Sequence, residues 1–248
     1  MKLLRYILSP VWKIWFVLWF ALPFIVMFPF FYVALRAKQF DFVFKLKRLW
    51  ARIVCFGSFL YPIVAYQNKK YKLPRPCVIV SNHTSYLDII FTPFYVDHVA
   101  VWIGKHELLK IPLFKYFFMY LDIPVNRKKN TDAHKAYTES GKKIDENMSV
   151  VIYPEGTISK SGKLKIFKNG AFKLAIEKQV PIIPVVNINN WHFLQNGGFF
   201  KSNGRPGIPN IFVGDPIFTA GLTEKNIIEV REKVHNFINK TLKTFPEK

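Results

Sequence analysis

The first apolar pattern in the chain is an unbroken run. From Ile14 to Leu35 there are 22 residues without a charge, IWFVLWFALPFIVMFPFFYVAL. As a helix rising about 1.5 Å per residue, the run reaches ~33 Å, enough to span a bilayer core. Pro23 and Pro29 lie inside it, and each is expected to kink or break a helix. Basic residues flank it on both sides: Lys2, Arg5 and Lys13 before, Arg36 and Lys38 after. Positive charge on both flanks favours two cytoplasmic ends, so a shallow hairpin or in-plane helix is expected ahead of a true span. The run is too long for a secretory signal and no small-residue cleavage site follows, so it is expected to stay on the mature protein.

Between Phe40 and Leu60 the pattern becomes helical. At 100° per residue, Phe42, Leu46, Leu49, Ile53 and Phe56 fall within an arc of about 80°. Lys45, Arg48 and Arg52 cluster on one flank of it, where their stems can lie along lipid while the charges reach headgroups. The arc predicts a membrane-facing helix; the alternative is an amphipathic helix packed on the protein's own core. Residues 1–60 are accordingly read as hydrophobic and basic anchoring helices, and residues 61–248 as a separate α/β domain.

Beyond residue 60, short apolar runs alternate with helical stretches. Strands are expected at Cys77–Val80, Val99–Ile103, Ile123–Val125, Val150–Tyr153, Ile182–Ile188 and Ile211–Val213. Helices fit at Leu87–Phe94, Leu113–Tyr120, Ala133–Asn147 and Ala171–Lys178, with a last one from Thr223 to Lys243. That last helix has Ile227, Val230, Val234, Phe237 and Ile238 as its apolar stripe and Thr223 as N-cap. The alternation predicts an α/β fold with a mostly parallel central sheet flanked by helices. Asn189–Pro209, rich in Asn, Gly and aromatics, reads as a long loop.

Composition narrows the partners. Of 248 residues half are apolar, and 36 Lys and Arg against 16 Asp and Glu leave a formal charge of +20. Such a chain is not disordered, and its partner is expected to be anionic. Between Arg36 and Arg75 there are ten basic residues and one acid, Asp41. Apolar and basic together favour membrane lipids, preferably anionic, over nucleic acid, because most aromatics lie in the apolar N-terminal segments. The two cysteines, Cys55 and Cys77, lie in apolar runs, which excludes a disulfide framework. The six histidines show no ligand-like spacing with acids, so no metal site is expected.

The chemistry concentrates after two strands. Val78–Ser81 leads into Asn82-His83-Thr84-Ser85-Tyr86-Leu87-Asp88. Ligands of α/β sheets bind beyond the carboxyl ends of strands, where His83 falls. An imidazole with a carboxylate beside it is a base with its orienter, and five residues across a turn can bring Asp88 back to His83. The second segment, Val151-Ile-Tyr-Pro-Glu155-Gly156-Thr157-Ile158-Ser159, offers N–H and hydroxyl donors to an anionic or polyol ligand, although taken alone it reads equally as an ordinary turn. The basic run Lys160, Lys163, Lys165 and Lys168 follows directly.

In order and spacing these segments resemble the glycerolipid acyltransferase family, whose best-known members are the 1-acylglycerol-3-phosphate acyltransferases. NHTSYLD resembles its NHx4D motif, and YPEGTIS its FPEGTRS motif. Val180–Val185 is similar to its proline-containing fourth motif, and Ile123-Pro-Val-Asn-Arg127 to the end of its second. Gly104-Lys105-His106-Glu107-Leu108 is similar to a Lys-x-Glu-Leu stretch between the first two motifs. The resemblance covers roughly residues 60 to 215.

It implies transfer of an acyl chain from a thioester, of coenzyme A or acyl carrier protein, to the hydroxyl of a lysophosphatidic acid-type acceptor, with no further cofactor. His83 would be the base and Asp88 its orienter; Glu155, Gly156 and Thr157 would hold the acceptor's glycerol, Arg127 its phosphate, and Lys105 would belong to the substrate site. The enzyme would be membrane-associated with its active site on the cytoplasmic face. Two departures stand out. Ile158 occupies the position of the family's arginine, which Lys160 would have to replace, and the glycine that opens the second motif is missing around Tyr120–Asp122. Both bear on the acceptor, which could instead be another lysophospholipid, an ornithine-type lysolipid or glycerol 3-phosphate. A hydrolase lacks support, since there is no Gly-x-Ser-x-Gly elbow. A non-catalytic basic membrane-binding protein is disfavoured by the intact His83, Asp88 and Glu155.

Overall fold

The computed structural model describes residues 2–68, 71–126 and 130–245. Among these, the strands are β1 (Ile63–Tyr66), β2 (Val78–Ser81), β3 (Ala100–Lys105), β4 (Ile123–Val125), β5 (Ser149–Ile152), β6 (Ile182–Asn187) and β7 (Asn210–Val213). They form one sheet in the order β1-β7-β6-β2-β5-β3-β4. The five strands from β6 to β4 are parallel; β7 runs antiparallel to β6, and β1 follows β7. Strand β2 is the centre, with Val80 opposite Ile152 on one side and Pro184 on the other. Its Val78, Ile79 and Val80 are fully buried, which is why it reads as a continuous apolar run rather than an alternating one.

The helices are α1 (Lys2–Arg36), α2 (Phe40–Gly57), α3 (Leu87–Tyr95), α4 (Lys115–Tyr120), α5 (Asn130–Asp145), α6 (Gly170–Glu177) and α7 (Ile227–Thr244). The expected strands coincide with β2–β7 to within a residue or two. Strand β1 was not expected: it is an edge strand, half-exposed, with β7 as its neighbour, and so carries no buried run. Helix α5 stops two residues before the expected Asn147, which takes φ +60° just past the helix end. Asparagine tolerates that left-handed conformation better than most residues, and it stops the helix. Thr223 caps the short 3-10 turn Glu224–Asn226 that leads into α7, where its N–H donates to Asn226 Oδ1 at 3.0 Å, and the cap of α7 itself is Asn226.

The N-terminal helices differ from expectation in two ways. The prolines do not break α1, which runs on through Pro10, Pro23 and Pro29. Packing braces it on both sides of Pro29: the ring of Phe24 stacks on Phe114 at 4.7 Å, and Phe31 meets Phe117 edge-on at 5.2 Å. Tertiary contacts of this kind outweigh the loss of a backbone hydrogen bond. Helix α2 carries two apolar faces. The arc of Phe42, Leu49 and Phe56 is exposed, while Val43, Phe44, Ala51, Val54 and Cys55, on the opposite side, are buried. Beneath α2, Lys47 Nζ pairs with Asp122 at 3.1 Å and lies 4.2 Å from the Trp102 ring. Arg48, expected among headgroups, turns instead to the carbonyl of Val96 at 2.8 Å.

Candidate active site

The carboxyl ends of the parallel strands place the site. Ser81 closes β2, and Asn82–Tyr86 turn the chain into α3. Asp88, second residue of that helix, folds back over the turn: its Oδ2 accepts the N–H groups of Thr84 at 2.8 Å and Ser85 at 3.0 Å. The same oxygen lies 2.9 Å from His83 Nδ1. Asp88 Oδ1 accepts Asn190 Nδ2 at 2.8 Å. Backbone N–H and amide nitrogens can only donate, so the carboxylate is surrounded by donors and His83 joins them through Nδ1–H. That tautomer leaves the lone pair on Nε2, as a general base requires. Asp88 is fully buried, and His83 is 4% exposed.

Neighbouring strands pin the ring from below and behind. Tyr153, just past β5, stacks under the His83 imidazole with centroids 3.9 Å apart. The Ser159 N–H donates to the His83 carbonyl at 2.7 Å. Glu155 accepts the His83 N–H on Oε1 at 2.7 Å and the Lys165 N–H on Oε2 at 3.2 Å. Both of its oxygens thus tie His83's backbone to the basic loop. Burial raises the Glu155 carboxyl to about 7, against the pull of these two N–H groups toward lower values.

The other expected residues take varied positions along the same edge. Gly156 has φ +75°, and a Cβ there would meet the Lys168 side chain at 3.3 Å, so a turn conformation and a close neighbour both call for glycine. Thr157 is exposed beside it. Lys105 ends β3 opposite Val125 of β4, exposed and paired with Glu107 at 3.1 Å. Arg127 lies outside the described residues. Ile158 is half-buried and Lys160 exposed. Cys77 and Cys55 are buried free thiols, and burial pushes that of Cys77 up to about 12, far from a nucleophile's range.

The sequence reading missed Asn187 and Asn190. A signal for them existed: of three asparagines, Asn187 closes the buried strand β6 and Asn189 and Asn190 follow its carboxyl end, the same topological position that singled out His83.

Residues 63–188, from β1 through the end of β6, match the acyltransferase family. The chain is 35% identical over 169 residues to human 1-acyl-sn-glycerol-3-phosphate acyltransferase beta, covering 67% of this chain and 60% of that protein. It is 29% identical over 208 residues to the Haemophilus influenzae 1-acyl-sn-glycerol-3-phosphate acyltransferase, covering 77% of this chain and 80% of that one. In fold it is similar along its whole length to the crystal structure of the 1-acyl-sn-glycerophosphate acyltransferase PlsC from Thermotoga maritima, at TM-score 0.76 and 23% identity.

Proposed function

The chain belongs to the acyltransferase family, and from that premise we propose that it acylates lysophosphatidic acid to phosphatidic acid, taking the acyl chain from a thioester of coenzyme A or acyl carrier protein. The observation that carries this reading is the buried His83–Asp88 pair at the carboxyl edge of the parallel strands, held at 2.9 Å. The names of the human and Haemophilus relatives supply the acceptor.

In this mechanism His83 Nε2 removes the proton of the acceptor hydroxyl as its oxygen attacks the thioester carbonyl. The tetrahedral intermediate collapses with cleavage of the C–S bond, and the proton passes from the imidazolium to the departing thiolate. The products are an ester and a free thiol, with no enzyme-bound acyl group and no cofactor beyond the co-substrate. Asp88 keeps Nδ1 protonated and stabilises the imidazolium. Gly156 and Thr157, on the turn after β5, and Lys105, at the end of β3, would receive the acceptor's glycerol, and Arg127 would take its phosphate, arginine being suited to phosphate by bidentate contact. Glu155, with both oxygens on backbone N–H groups, serves that site by shaping its loop.

The acceptor lives in a bilayer, and the N-terminal helices support attachment there. Leu8–Arg36 is long and apolar enough to cross a membrane, yet α1 packs on α2 and α4 through Phe20, Phe24 and Phe31. A helix braced sideways on its own domain fits an in-plane position, with the exposed faces of α1 and α2 in one leaflet and the exposed Arg36, Lys38, Lys45 and Arg52 at anionic headgroups on the cytoplasmic side. Residues 1–60 would be the anchor and 61–248 the catalytic domain.

A second reading, another lysolipid as acceptor, is favoured by Ile158 in place of the family's arginine. The test is acyl transfer by the detergent-solubilised chain from labelled acyl-coenzyme A or acyl carrier protein to lysophosphatidic acid, beside other lysolipids. Phosphatidic acid formed by wild type and not by His83→Ala supports the proposal. Turnover with another lysolipid alone would transfer the assignment to that acceptor, and fatty acid released without any acceptor would mark a hydrolase.

A further inference from the structure

The Asp88 carboxylate has a second oxygen, and the group that holds it lies just beyond the matched segment 63–188. Asn190 is fully buried at the start of a short 3-10 turn, Asn190–His192, three residues after β6. Its Nδ2 donates to Asp88 Oδ1 at 2.8 Å and to Asn187 Oδ1 at 2.9 Å. Asn187 cannot turn its amide away, because its Nδ2 donates to Ser81 Oγ at 2.9 Å and to the Asn82 carbonyl at 3.2 Å. With oxygens on both sides, Asn190 can present only its nitrogen, so chemistry fixes the orientation. Asn82 and Asn187 then clasp each other: Asn82 Nδ2 donates to the Asn187 carbonyl at 2.9 Å, and the Asn187 N–H to Asn82 Oδ1 at 2.8 Å. The bracket therefore runs from Asp88 through Asn190 and Asn187 to the residue preceding His83.

Geometry gives the bracket a task. Asp88 Oδ2 is pinned by three donors on its own turn. Among the described residues Asn190 is the partner of Oδ1, so it stops the carboxylate from rotating about Cβ–Cγ. The fold keeps this amide although its Oδ1 is buried without a partner among the described residues, a cost that an apolar residue in the same space would avoid. The loop beyond is tied on both sides. Ser85 Oγ donates to the Leu194 carbonyl at 2.7 Å; from α1, Ser9 Oγ accepts the Gly204 N–H at 2.7 Å and Lys13 Nζ donates to the Phe199 carbonyl at 2.8 Å.

We propose that Asn190 is a positioning residue for acyl transfer, holding Asp88 through Oδ1 so that Oδ2 keeps His83 in its base tautomer. The role rests on the assignment of His83 as the base. Asn190→Ala is expected to lower kcat about 10- to 10²-fold, the effect of a small misplacement of a catalytic group. KM for lysophosphatidic acid should stay within about twofold, because no ground-state contact is lost. In proton NMR of the solubilised chain, the His83 Nδ1–H signal, assigned by its loss in His83→Ala, should move or broaden.

If Asn190→Ala fails to fold, Asn190→Asp keeps the shape without the donor. Its carboxylate would face Asp88, depress activity near neutral pH, and restore part of it as acid returns a hydrogen to donate. A space-filling residue would show no such pH-dependent recovery. Wild-type kcat in folded Asn190→Ala with an unmoved Nδ1–H signal would overturn the proposal. A wild type inactive on every lysolipid would instead sink the acyl-transfer reading, while the Nδ1–H signal would still decide whether Asn190 holds the dyad.

Discussion

Among the described residues two buried histidines each pair with an aspartate, at opposite edges of one sheet. His83 and Asp88 meet at 2.9 Å past the carboxyl end of β2; His98 and Asp97 meet at 3.0 Å ahead of the amino end of β3. The second pair even has a hydroxyl in line, since His98 Nε2 lies 2.6 Å from Ser149 Oγ. By spacing alone it resembles a nucleophile, base and orienter more closely than the first. Its surroundings say otherwise. Ser149 is fully buried, and its Oγ also accepts the Cys77 N–H at 3.0 Å, tying β2 to β5. Both nitrogens of His98 are engaged, whereas Asp88 engages one nitrogen of His83. The Asp97 carboxylate is part exposed, whereas that of Asp88 is enclosed by donors. What separates a reactive pair from a structural pin is the strand edge it occupies and whether one nitrogen is left for a substrate.

The sharpest way to break this contrast is to remove each histidine. His83→Ala is expected to lower kcat by about 10²–10⁴-fold, the range of a general base, with liposome binding unchanged. Asp88→Asn should fall in the same range, because the amide would no longer hold the ring's tautomer. His98→Ala should keep kcat within about twofold and lose about 1–3 kcal/mol of stability, leaving Ser149 Oγ without its acceptor. Those quantities follow from acyl-transfer kinetics and chemical denaturation of the same preparations. Loss of turnover in a folded His98→Ala chain would collapse the distinction.

The contrast also marks what the chain shows in one dimension. Parallel strands buried on both faces read as Val/Ile runs, so β2 to β6 stand out. His83 and Asp88 are five residues apart, and their turn is local. The partners that decide their roles are not: Ser149 lies 51 residues from His98, and Asn190 lies 102 from Asp88. Pairing across the sheet brings them together, and no window of sequence reports it. Helix α2 shows the same limit. Its exposed arc was legible as a periodicity, but Val43, Ala51 and Val54 declare a second buried face only once α1 and the domain lie against it. The same packing carries α1 through prolines that local propensity would treat as breaks.

The smallest expected effect distinguishes the two edges by sign. Burial lowers the pKa of His98 below its usual value, although Asp97 pulls the other way. The unfolded chain then binds the extra proton, so this group makes stability rise with pH up to about 6.5 and level off above it. Glu155 does the opposite. Burial raises its carboxyl from 4.5 to about 7, so the folded chain holds the proton, and stability falls as pH rises through that window. The two slopes oppose each other over the same range and mask one another in wild type. His98→Gln should therefore unmask a decline in unfolding free energy between pH 5 and 7, and Glu155→Gln a rise, as read by denaturation at a series of pH values. Equal slopes in the two variants would mean that neither burial controls its proton, and the electrostatic distinction between the two edges would go with it.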